Sequence, residues 1–445
     1  MDVIIVGAGQ VGQSIAGDLA DVHQVTVIDV DAERVEELNY ELDVLGIDGD
    51  GTSVETLERA GVADADMVVA STDDDETNVV VCSTVKAVSD AFTIARTKQT
   101  EYLRTWRRSR SAFGVDFMVC TNLLAAQTIV RIVGLPGARD VDAFAGGMVQ
   151  MAEFEVGADS PVADRTVAEA DTYDSLTFAA VVRDDGVDIP RGRTEIGADD
   201  RVVTIGNPHS IQQFAQAVSP EQSIGEAEEV VVVGGSEIGA HVARLLCERG
   251  ISVRVIERDR GRARELAEEL PEAVVMQSDA TDVDFLEREH VSEADVVVAA
   301  LDSDEKNLLV SLLADRIGVE RTVTVVDAPA YVDLFEAVGV DVGVNPREVV
   351  AEEITRYTRE GGAENVALVG SGRAEVVEVE LATDSLLVDR PIRDTVPELP
   401  AGVVVGAITR DGEFIAPRGE TVPETGDHVV LFVAAAVADE VTSRV

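Results

Sequence analysis

The stretch of sequence that decides the fold is DVIIVGAGQVG, residues 2–12. A short apolar run leads into three glycines, Gly7, Gly9 and Gly12, and these open a helical pattern. In a Rossmann-like fold this order of strand, Gly-x-Gly-x-x-Gly and helix brings loop amides and a helix N-terminus toward a pyrophosphate. The stretch therefore predicts a doubly wound domain that binds a nucleotide.

Three polar residues downstream are candidates for the same site. Asp29 closes the next apolar run, where a carboxylate can accept hydrogen bonds from both ribose hydroxyls and would repel a 2′-phosphate; the alternative is one more acid in an acidic chain. Asp50 follows the third run and can contact adenine or cap the next helix. Arg96 ends the fifth run and can pair with phosphate or form a surface ion pair.

The segment TDDDETN, residues 72–78, has the composition of an acidic metal site. It also contains Asp73 followed three residues later by Glu76, which is a pattern typical of a helix start. We favour helix capping and expect no metal site in the chain.

A repeat runs through the whole chain. GAGQVG at 7–12 returns as GGSEIG at 234–239, and GVDFMV at 114–119 returns as GVDVGV at 339–344. A second unit also repeats, with PRG and a D-x-V-V strand in register between 181–206 and 408–433. The chain therefore has the order A-B-A-B.

Alternating apolar runs and helical patterns in unit A indicate parallel strands covered by helices, whereas unit B is shorter and rich in strands. We predict an α/β fold with two Rossmann-like doubly wound parallel-sheet domains, each followed by a small α+β domain. The expected domains are 1–134, 135–220, 228–361 and 362–445, with turn or linker chemistry at 134–140 and 219–229. The strands of the first unit are expected at 2–6, 25–29, 43–47, 67–71, 92–97 and 115–119.

The second loop departs from the first. Ser236 stands where Gly9 would fall, Glu257 replaces Asp29, and Val325 occupies the position of Arg96. A Cβ at the point of closest approach obstructs a pyrophosphate unless the hydroxyl replaces a lost contact. We therefore expect a weaker or altered second site.

The net charge is −49, from 85 acidic and 36 basic residues, and only three of the basic residues are lysines. A surface of this kind suits concentrated salt, which screens its self-repulsion, so we expect a halophilic protein. Nucleic acid is excluded as a partner because a phosphate backbone needs a basic footprint. No signal peptide or membrane span is expected, and the isolated Cys82, Cys120 and Cys247 are typical of buried thiols in a reduced cytoplasm.

The sequence offers no catalytic constellation. The five histidines fall at unmatched positions in the two halves, and no Ser-His-Asp grouping or zinc motif is present. A dehydrogenase needs a proton donor or acceptor beside the nicotinamide. The sequence therefore favours a duplicated nucleotide-binding protein that acts as a switch. The alternatives are an NAD-dependent oxidoreductase and a cytosolic sensor without a membrane partner.

These phrases, with DADMVVASTDDDETN, AYVDLFEAVGVDVGVNPRE and DGEFIAPRGETVPETGDHVVLF, resemble the TrkA family of proteins with RCK domains. The resemblance covers essentially the whole chain. It implies a non-enzymatic cytoplasmic regulatory subunit, peripheral to the inner face of the membrane, that assembles as a homotetramer and gates a Trk-type potassium-translocating subunit. The implied regulatory ligand is NAD(H) or an adenine nucleotide such as ATP or ADP.

The resemblance carries nucleotide-binding roles onto particular residues. In the first unit these are Gly7, Gly9, Gln10, Val11, Gly12, Asp29, Asp31, Asp50, Thr72 and Arg96. In the second unit they are Gly234, Gly239, Glu257 and Asp279, and Ser236 leaves the ligand of that unit open.

Overall fold

The first unit A is one open sheet with helices. The computed structural model describes residues 1–20, 23–109, 112–135, 137–183, 186–218, 227–359, 365–369 and 373–445. The strands of this unit are β1 (Asp2–Val6), β2 (Gln24–Asp29), β3 (Leu45–Asp48), β4 (Met67–Ala70), β5 (Phe92–Thr97) and β6 (Phe117–Cys120). Its helices are α1 (Gln10–Ala20), α2 (Ala32–Glu41), α3 (Val54–Arg59), α4 (Asp75–Val88), α5 (Thr100–Arg108) and α6 (Thr121–Val133).

The strand order in this sheet is β3-β2-β1-β4-β5-β6, and all neighbours are parallel. Strand β4 is buried along its whole length because a parallel sheet of this kind is covered on both faces. The order reverses at β1, and the ends of β1 and β4 leave a crevice where open α/β sheets bind ligands. The predicted Rossmann-like fold is confirmed.

The first unit B is antiparallel. Its strands are β7 (Ala138–Phe144), β8 (Val149–Glu155), β9 (Arg165–Thr166), β10 (Leu176–Arg183), β11 (Gly186–Asp188), β12 (Glu195–Ile196) and β13 (Arg201–Gly206), and its helices are α7 (Val167–Ala170) and α8 (Pro208–Val218). Five strands form a sheet in the order β11-β10-β13-β8-β7, and β12 pairs with β9. This is the small α+β module expected.

The second unit A repeats the first. Its strands are β14 (Glu229–Val233), β15 (Ser252–Glu257), β16 (Val274–Gln277), β17 (Val296–Ala299), β18 (Arg321–Val325) and β19 (Val342–Val344). Its helices are α9 (Glu237–Glu248), α10 (Arg260–Glu269), α11 (Val283–Arg288), α12 (Asp304–Ile317), α13 (Val332–Ala337) and α14 (Pro346–Arg359). The parallel order β16-β15-β14-β17-β18-β19 matches that of the first sheet.

The second unit B is again a five-stranded antiparallel sheet. Its strands are β20 (Asn365–Val369), β21 (Ala374–Glu380), β22 (Val403–Arg410), β23 (Glu413–Ile415) and β24 (His428–Ala434), and its helices are α15 (Ile392–Thr395) and α16 (Ala438–Thr442). The strand order is β20-β21-β24-β22-β23.

The two A units of the chain pack together, and the two B units pack together. One compact unit contains Met1–Ile129 and Glu229–Tyr357, and the other contains Val130–Glu228 and Thr358–Val445. In the first, Val350, Ala351 and Ile354 of α14 share a buried core with helix α1. In the second, apolar residues of both antiparallel sheets form one core, and the amide of Ala145 donates to Glu378 at 2.9 Å.

Most strand predictions hold to within two residues. Strand β3 begins at Leu45 and not at 43, and β6 begins at Phe117 and not at 115. The linker expected at 219–229 lies largely outside the described residues, as does Pro136 in the turn expected at 134–140.

Candidate functional site

The three glycines of the first loop have different structural roles. Gly7 has a φ of +111°, which side chains disfavour, and a Cβ at Gly12 would lie 1.8 Å from the carbonyl oxygen of Gly7. A Cβ at Gly9 would meet nothing within 4 Å. Gly7 and Gly12 are thus required by the turn and by helix packing, whereas Gly9 leaves room beside the loop.

The Asp29 carboxylate supports this loop. One oxygen accepts from the amide of Ala8 at 2.6 Å, and the other accepts from the amide of Asp31 at 2.9 Å. Each carboxylate oxygen has two lone pairs, so both can still accept from ligand hydroxyls. The same side chain therefore positions the loop and keeps acceptor capacity at the cavity.

The opposite wall is held by Asn78, a fully buried residue of α4. Its side-chain oxygen accepts from the amide of Thr72 at 2.9 Å, and its Nδ2 donates to the carbonyls of Thr72 and Arg96 at 3.0 and 2.9 Å. Asn78 thereby joins the segment after β4 to the end of β5. Asn78 belongs to no motif that marks it in the sequence; its only signal is that Asn307 repeats it, with the same bonds, in the second half.

Arg96 is 3% exposed and is therefore not the exposed surface pair considered as the alternative. Its Nε donates to the Thr121 hydroxyl at 3.1 Å, and its NH1 lies 3.3 Å from an oxygen of Asp73. Burial lowers the pKa of the Arg96 guanidinium, whereas Asp73 raises it and Arg347 lowers it further. Arginine nevertheless stays charged in proteins, so this wall presents a buried cation.

Partial burial alone would raise the pKa of the Asp73 carboxyl. The hydrogen bond and the charge of Lys98, with those of Arg96, hold that pKa below its ordinary value. Asp73 is thus a carboxylate on the cavity wall, and its negative charge partly neutralises the two cations.

A cavity of about 950 Å³ opens between these walls. Eight of the predicted site residues line it: Gly7, Gly9, Gln10, Val11, Asp29, Asp50, Thr72 and Arg96. Gly12 lies behind the loop in its packing role. Asp31 lies outside the lining, where it caps α2 by accepting from the amide of Glu33.

Asp50 does not cap the helix that follows it. Its carboxylate accepts from the amide and hydroxyl of Thr52 at 2.9 and 2.7 Å, and these bonds hold the pKa of Asp50 below its ordinary value. The N-cap position of α3 belongs to Ser53. Asp50 therefore forms a tight turn at the cavity edge.

The capping prediction for residues 72–78 needs a correction of one position. The N-cap of α4 is Asp74, whose side chain accepts from the amide of Thr77 at 2.7 Å, and not Asp73. Asp73 instead pairs with Arg96 and Lys98 and lines the cavity. Among the described residues, no group of three or more His, Cys, Asp or Glu side chains is arranged to hold a metal ion.

Two basic residues in the lining were not predicted from the sequence. Arg34 of α2 reaches the cavity and lies 3.4 Å from Asp31. Arg347 reaches it from α14, a helix of the second half. Because Arg347 is remote in sequence from the glycine loop, no local pattern predicted that it lines this cavity.

In the second unit, side chains of the protein lie against the glycine loop. The Ser236 hydroxyl donates to the carbonyl of Ala300 at 2.7 Å and accepts from the amide of Gly239, so it caps α9. A Cβ at Gly235 would lie 2.5 Å from Leu266, and Arg262 donates to the carbonyl of Gly235 at 2.8 Å. Ser236 and Arg262 thus use side-chain donors on groups within the second unit itself.

The other predicted residues of the second unit keep the positions of their counterparts. Glu257 accepts from the amides of Gly235 and Asp259, and Asp279 forms the turn with Thr281 that Asp50 forms with Thr52. Gly234 has a φ of +108°, and a Cβ at Gly239 would lie 2.1 Å from the carbonyl oxygen of Gly234. The backbone of the loop is kept, and Glu257 is paired with two amides as Asp29 is in the first loop.

The cysteines are free thiols. Cys82 and Cys120 are buried, as expected, whereas Cys247 is partly exposed. Burial raises the pKa of the Cys82 thiol to about 12, so this sulfur stays protonated.

Most of the sequence matches two known domain families. The TrkA-N domain matches residues 3–121 and 230–346, and the TrkA-C domain matches residues 151–219 and 376–445. The chain belongs to the TrkA family. The predicted A-B-A-B order is thus a tandem of TrkA-N and TrkA-C domains.

Curated relatives in the TrkA family match over nearly their full length. Trk system potassium uptake protein TrkA homolog 1 of Methanosarcina mazei is 35% identical, with 99% of each chain covered. Trk system potassium uptake protein TrkA of Halomonas elongata is 34% identical over 97% of this chain and 96% of its own.

Solved structures share the TrkA-family fold at low identity. The GsuK RCK domain has a TM-score of 0.61 and 19% identity, covering 99% of this chain and 94% of that one. The GsuK channel bound to NAD has a TM-score of 0.61 and 18% identity, covering 99% and 78%. Within the described residues, no helix is long and apolar enough to cross a membrane.

Proposed function

We propose that the chain is a cytoplasmic, nucleotide-sensing regulatory subunit that assembles as a homotetramer and gates a Trk-type potassium-translocating subunit at the inner face of the membrane. The observation that carries the proposal is the cavity at the first loop, which combines free space beside Gly9, the Asp29 carboxylate and the buried Arg96. Family membership supports the link to potassium uptake.

The cavity residues fit an adenine nucleotide or NAD(H). The first turn of α1 and the loop amides offer hydrogen-bond donors and partial positive charge to a phosphate, and Arg96 adds a full charge. Asp29 can accept from the ribose hydroxyls, and the turn at Asp50 borders the same space. These residues bind and orient a ligand, and the proposal gives the ligand a regulatory role.

Gating needs only a modest difference in affinity. A ligand that binds one conformer about 1.4 kcal/mol more tightly than another shifts their ratio tenfold. Helix α1 begins at the glycine loop and packs on α14 of the second half. A change at the loop therefore has a direct packing route into the second half, and from there it can alter how the domains act on the membrane partner.

An NAD-dependent oxidoreductase is the competing function. It needs a proton donor or acceptor near the nicotinamide, commonly His, Lys or Tyr. None of these types is present among the described residues that line the cavity. Oxidation or reduction of bound cofactor by a metabolite, followed at the nicotinamide absorbance band, would favour the enzyme over the sensor.

The test is potassium flux through the membrane subunit with and without added nucleotide. We expect Asp29→Ala to abolish the nucleotide response and Glu257→Ala to retain it. The pair is matched because each variant loses two hydrogen bonds to loop amides, while only Asp29 lines the cavity. An unchanged nucleotide response in Asp29→Ala would reject this site as the sensor.

A further inference from the structure

Arg347 reaches the first-half cavity on a helix of the second half. It is the second residue of α14, and the side chain of Asn345 fixes the helix start by accepting from the amides of Arg347 and Glu348 at 2.9 and 3.0 Å. The guanidinium then lines the space in front of the glycine loop. The cavity is therefore built by both halves of the chain.

The helix that carries Arg347 is anchored on α1. Ile354 lies in one core with Ile15, and the Thr355 hydroxyl donates to Asp18 at 3.3 Å. Since α1 begins at the glycine loop, the position of Arg347 relative to the loop amides is set by helix packing. The arginine is thus presented to the cavity on a supported element.

Within the described part of the chain, Arg347 has no carboxylate partner, although four aspartates line the same cavity beside three arginines. Among the described residues, the Arg347 guanidinium donates to the carbonyl of Asp327 at 3.3 Å and forms no ion pair. Arg96, a second cation, lines the same cavity. The charge of Arg347 helps to lower the pKa of Arg96, although burial of Arg96 has the larger effect. Two guanidinium groups facing one cavity repel each other unless an anion lies between them.

We propose that Arg347 binds the phosphate chain of a nucleotide held at the first loop, so that the ligand joins the two halves of the chain. The inference rests on the proposed function of the cavity. The ligand class is an adenine nucleotide with at least two phosphates, or a dinucleotide, because the loop amides and Arg96 already serve one phosphate.

The second half contributes an arginine to the cavity of the first half, but the first half has no equivalent arginine. Aligning GVDFMV with GVDVGV places Asn122 at the position of Arg347. Asn122 is neutral and donates to the carbonyl of Lys98 at 3.1 Å. The first half therefore has no arginine at this position to offer in return, in keeping with the paired groups of the second loop.

Calorimetric titration of the full chain with ADP and with adenosine tests the proposal. We expect Arg347→Gln to bind ADP about tenfold more weakly, because a charge-assisted bond to phosphate is lost, and to bind adenosine like the wild type. Arg347→Lys keeps the charge and should lose less. Arg316→Gln, which removes an exposed charge of α12 outside the cavity, is the matched control.

The outcomes separate this inference from the function it rests on. Equal ADP affinity in Arg347→Gln and Arg316→Gln, with the wild type binding ADP, overturns the role of Arg347 alone. A wild type that binds neither ADP nor NAD overturns the nucleotide site itself. Melting curves without ligand keep folding apart from binding.

Hydrogen exchange supplies a second readout. ADP should slow amide exchange in α14 of the wild type, because the ligand ties that helix to the loop. In Arg347→Gln, ADP should protect residues 7–12 but leave α14 at its unliganded rate. If ADP does not slow α14 in the wild type, the inference fails whatever the affinities.

Discussion

At the scale of single residues, the two copies of the glycine loop have the same backbone and different chemistry. Gly7 and Gly234 both have positive φ, and Gly12 and Gly239 both leave no space for a Cβ. The difference lies at Gly9, which leaves open space, and at Ser236, whose hydroxyl caps its own helix. The Ser236 hydroxyl thus accepts from the amide of Gly239 in its own helix, whereas the space beside Gly9 stays open.

Alanine at the two glycines of the first loop should separate folding from binding. Gly12→Ala should lower the free energy of unfolding by about 1–3 kcal/mol, because its Cβ meets the Gly7 carbonyl. Gly9→Ala should change the free energy of unfolding by no more than about 0.5 kcal/mol and should bind ADP more weakly than the wild type. Thermal melts and ADP titrations measure both; a normal ADP affinity in Gly9→Ala would contradict the proposed pyrophosphate position.

Residue-level predictions succeeded where a short local pattern sufficed. Asp29 and Arg96 line the cavity because they lie at the carboxyl ends of β2 and β5, and the carboxyl ends of parallel strands meet at one edge of a sheet. Asp31, which was predicted to bind nucleotide, and Asp74, which was not singled out, are instead the N-caps of α2 and α4. The choice of Asp74 over Asp73 depended on where Arg96 and Lys98 lie, which a local pattern does not contain.

At the scale of secondary structure elements, α14 has the largest effect on the site. It follows the last strand of the second parallel sheet, yet its buried face packs on α1 of the first. The apolar pattern of the segment predicts that one face is buried but not which partner covers it. This packing is what brings Arg347 to the cavity.

Truncating the buried face of α14 should destabilise the unit. Ile354 is fully buried in the core it shares with α1. Ile354→Ala should lower the free energy of unfolding by about 2–5 kcal/mol. Leu309→Ala on α12 is the control, since Leu309 is 46% exposed and its loss should change stability by no more than about 0.5 kcal/mol. Equal effects of the two variants, measured by denaturant unfolding, would show that α14 does not support the core.

At the scale of the whole molecule, the dominant feature is the charge of −49. Charges of one sign at this density repel each other, and the repulsion falls as salt shortens the distance over which they act, to about 3 Å at 1 M. The described structure keeps regular cores beneath this surface. The chain is thus expected to depend on salt for stability and not for its fold.

Salt dependence is directly measurable. The melting temperature should rise substantially between 0.1 M and 3 M KCl, and the same rise should appear with NaCl because screening does not distinguish the two cations. Differential scanning calorimetry over this range is the measurement. Equal stability at low and molar salt would remove the basis for a halophilic protein.

Local sequence patterns were enough to predict the class of each domain, the tandem order, the glycine loop and the acid at the end of β2. These are encoded locally, by strand and helix periodicity and by glycines whose spacing fits a single kind of turn. Only the tertiary structure decided that the two parallel-sheet units form one body, that Asn78 joins two strand ends, and that Arg347 enters the first cavity. The pairing of the two parallel-sheet units and the entry of Arg347 depend on which buried faces meet across more than about 200 residues of intervening chain, and apolar burial does not select its partner by sequence distance.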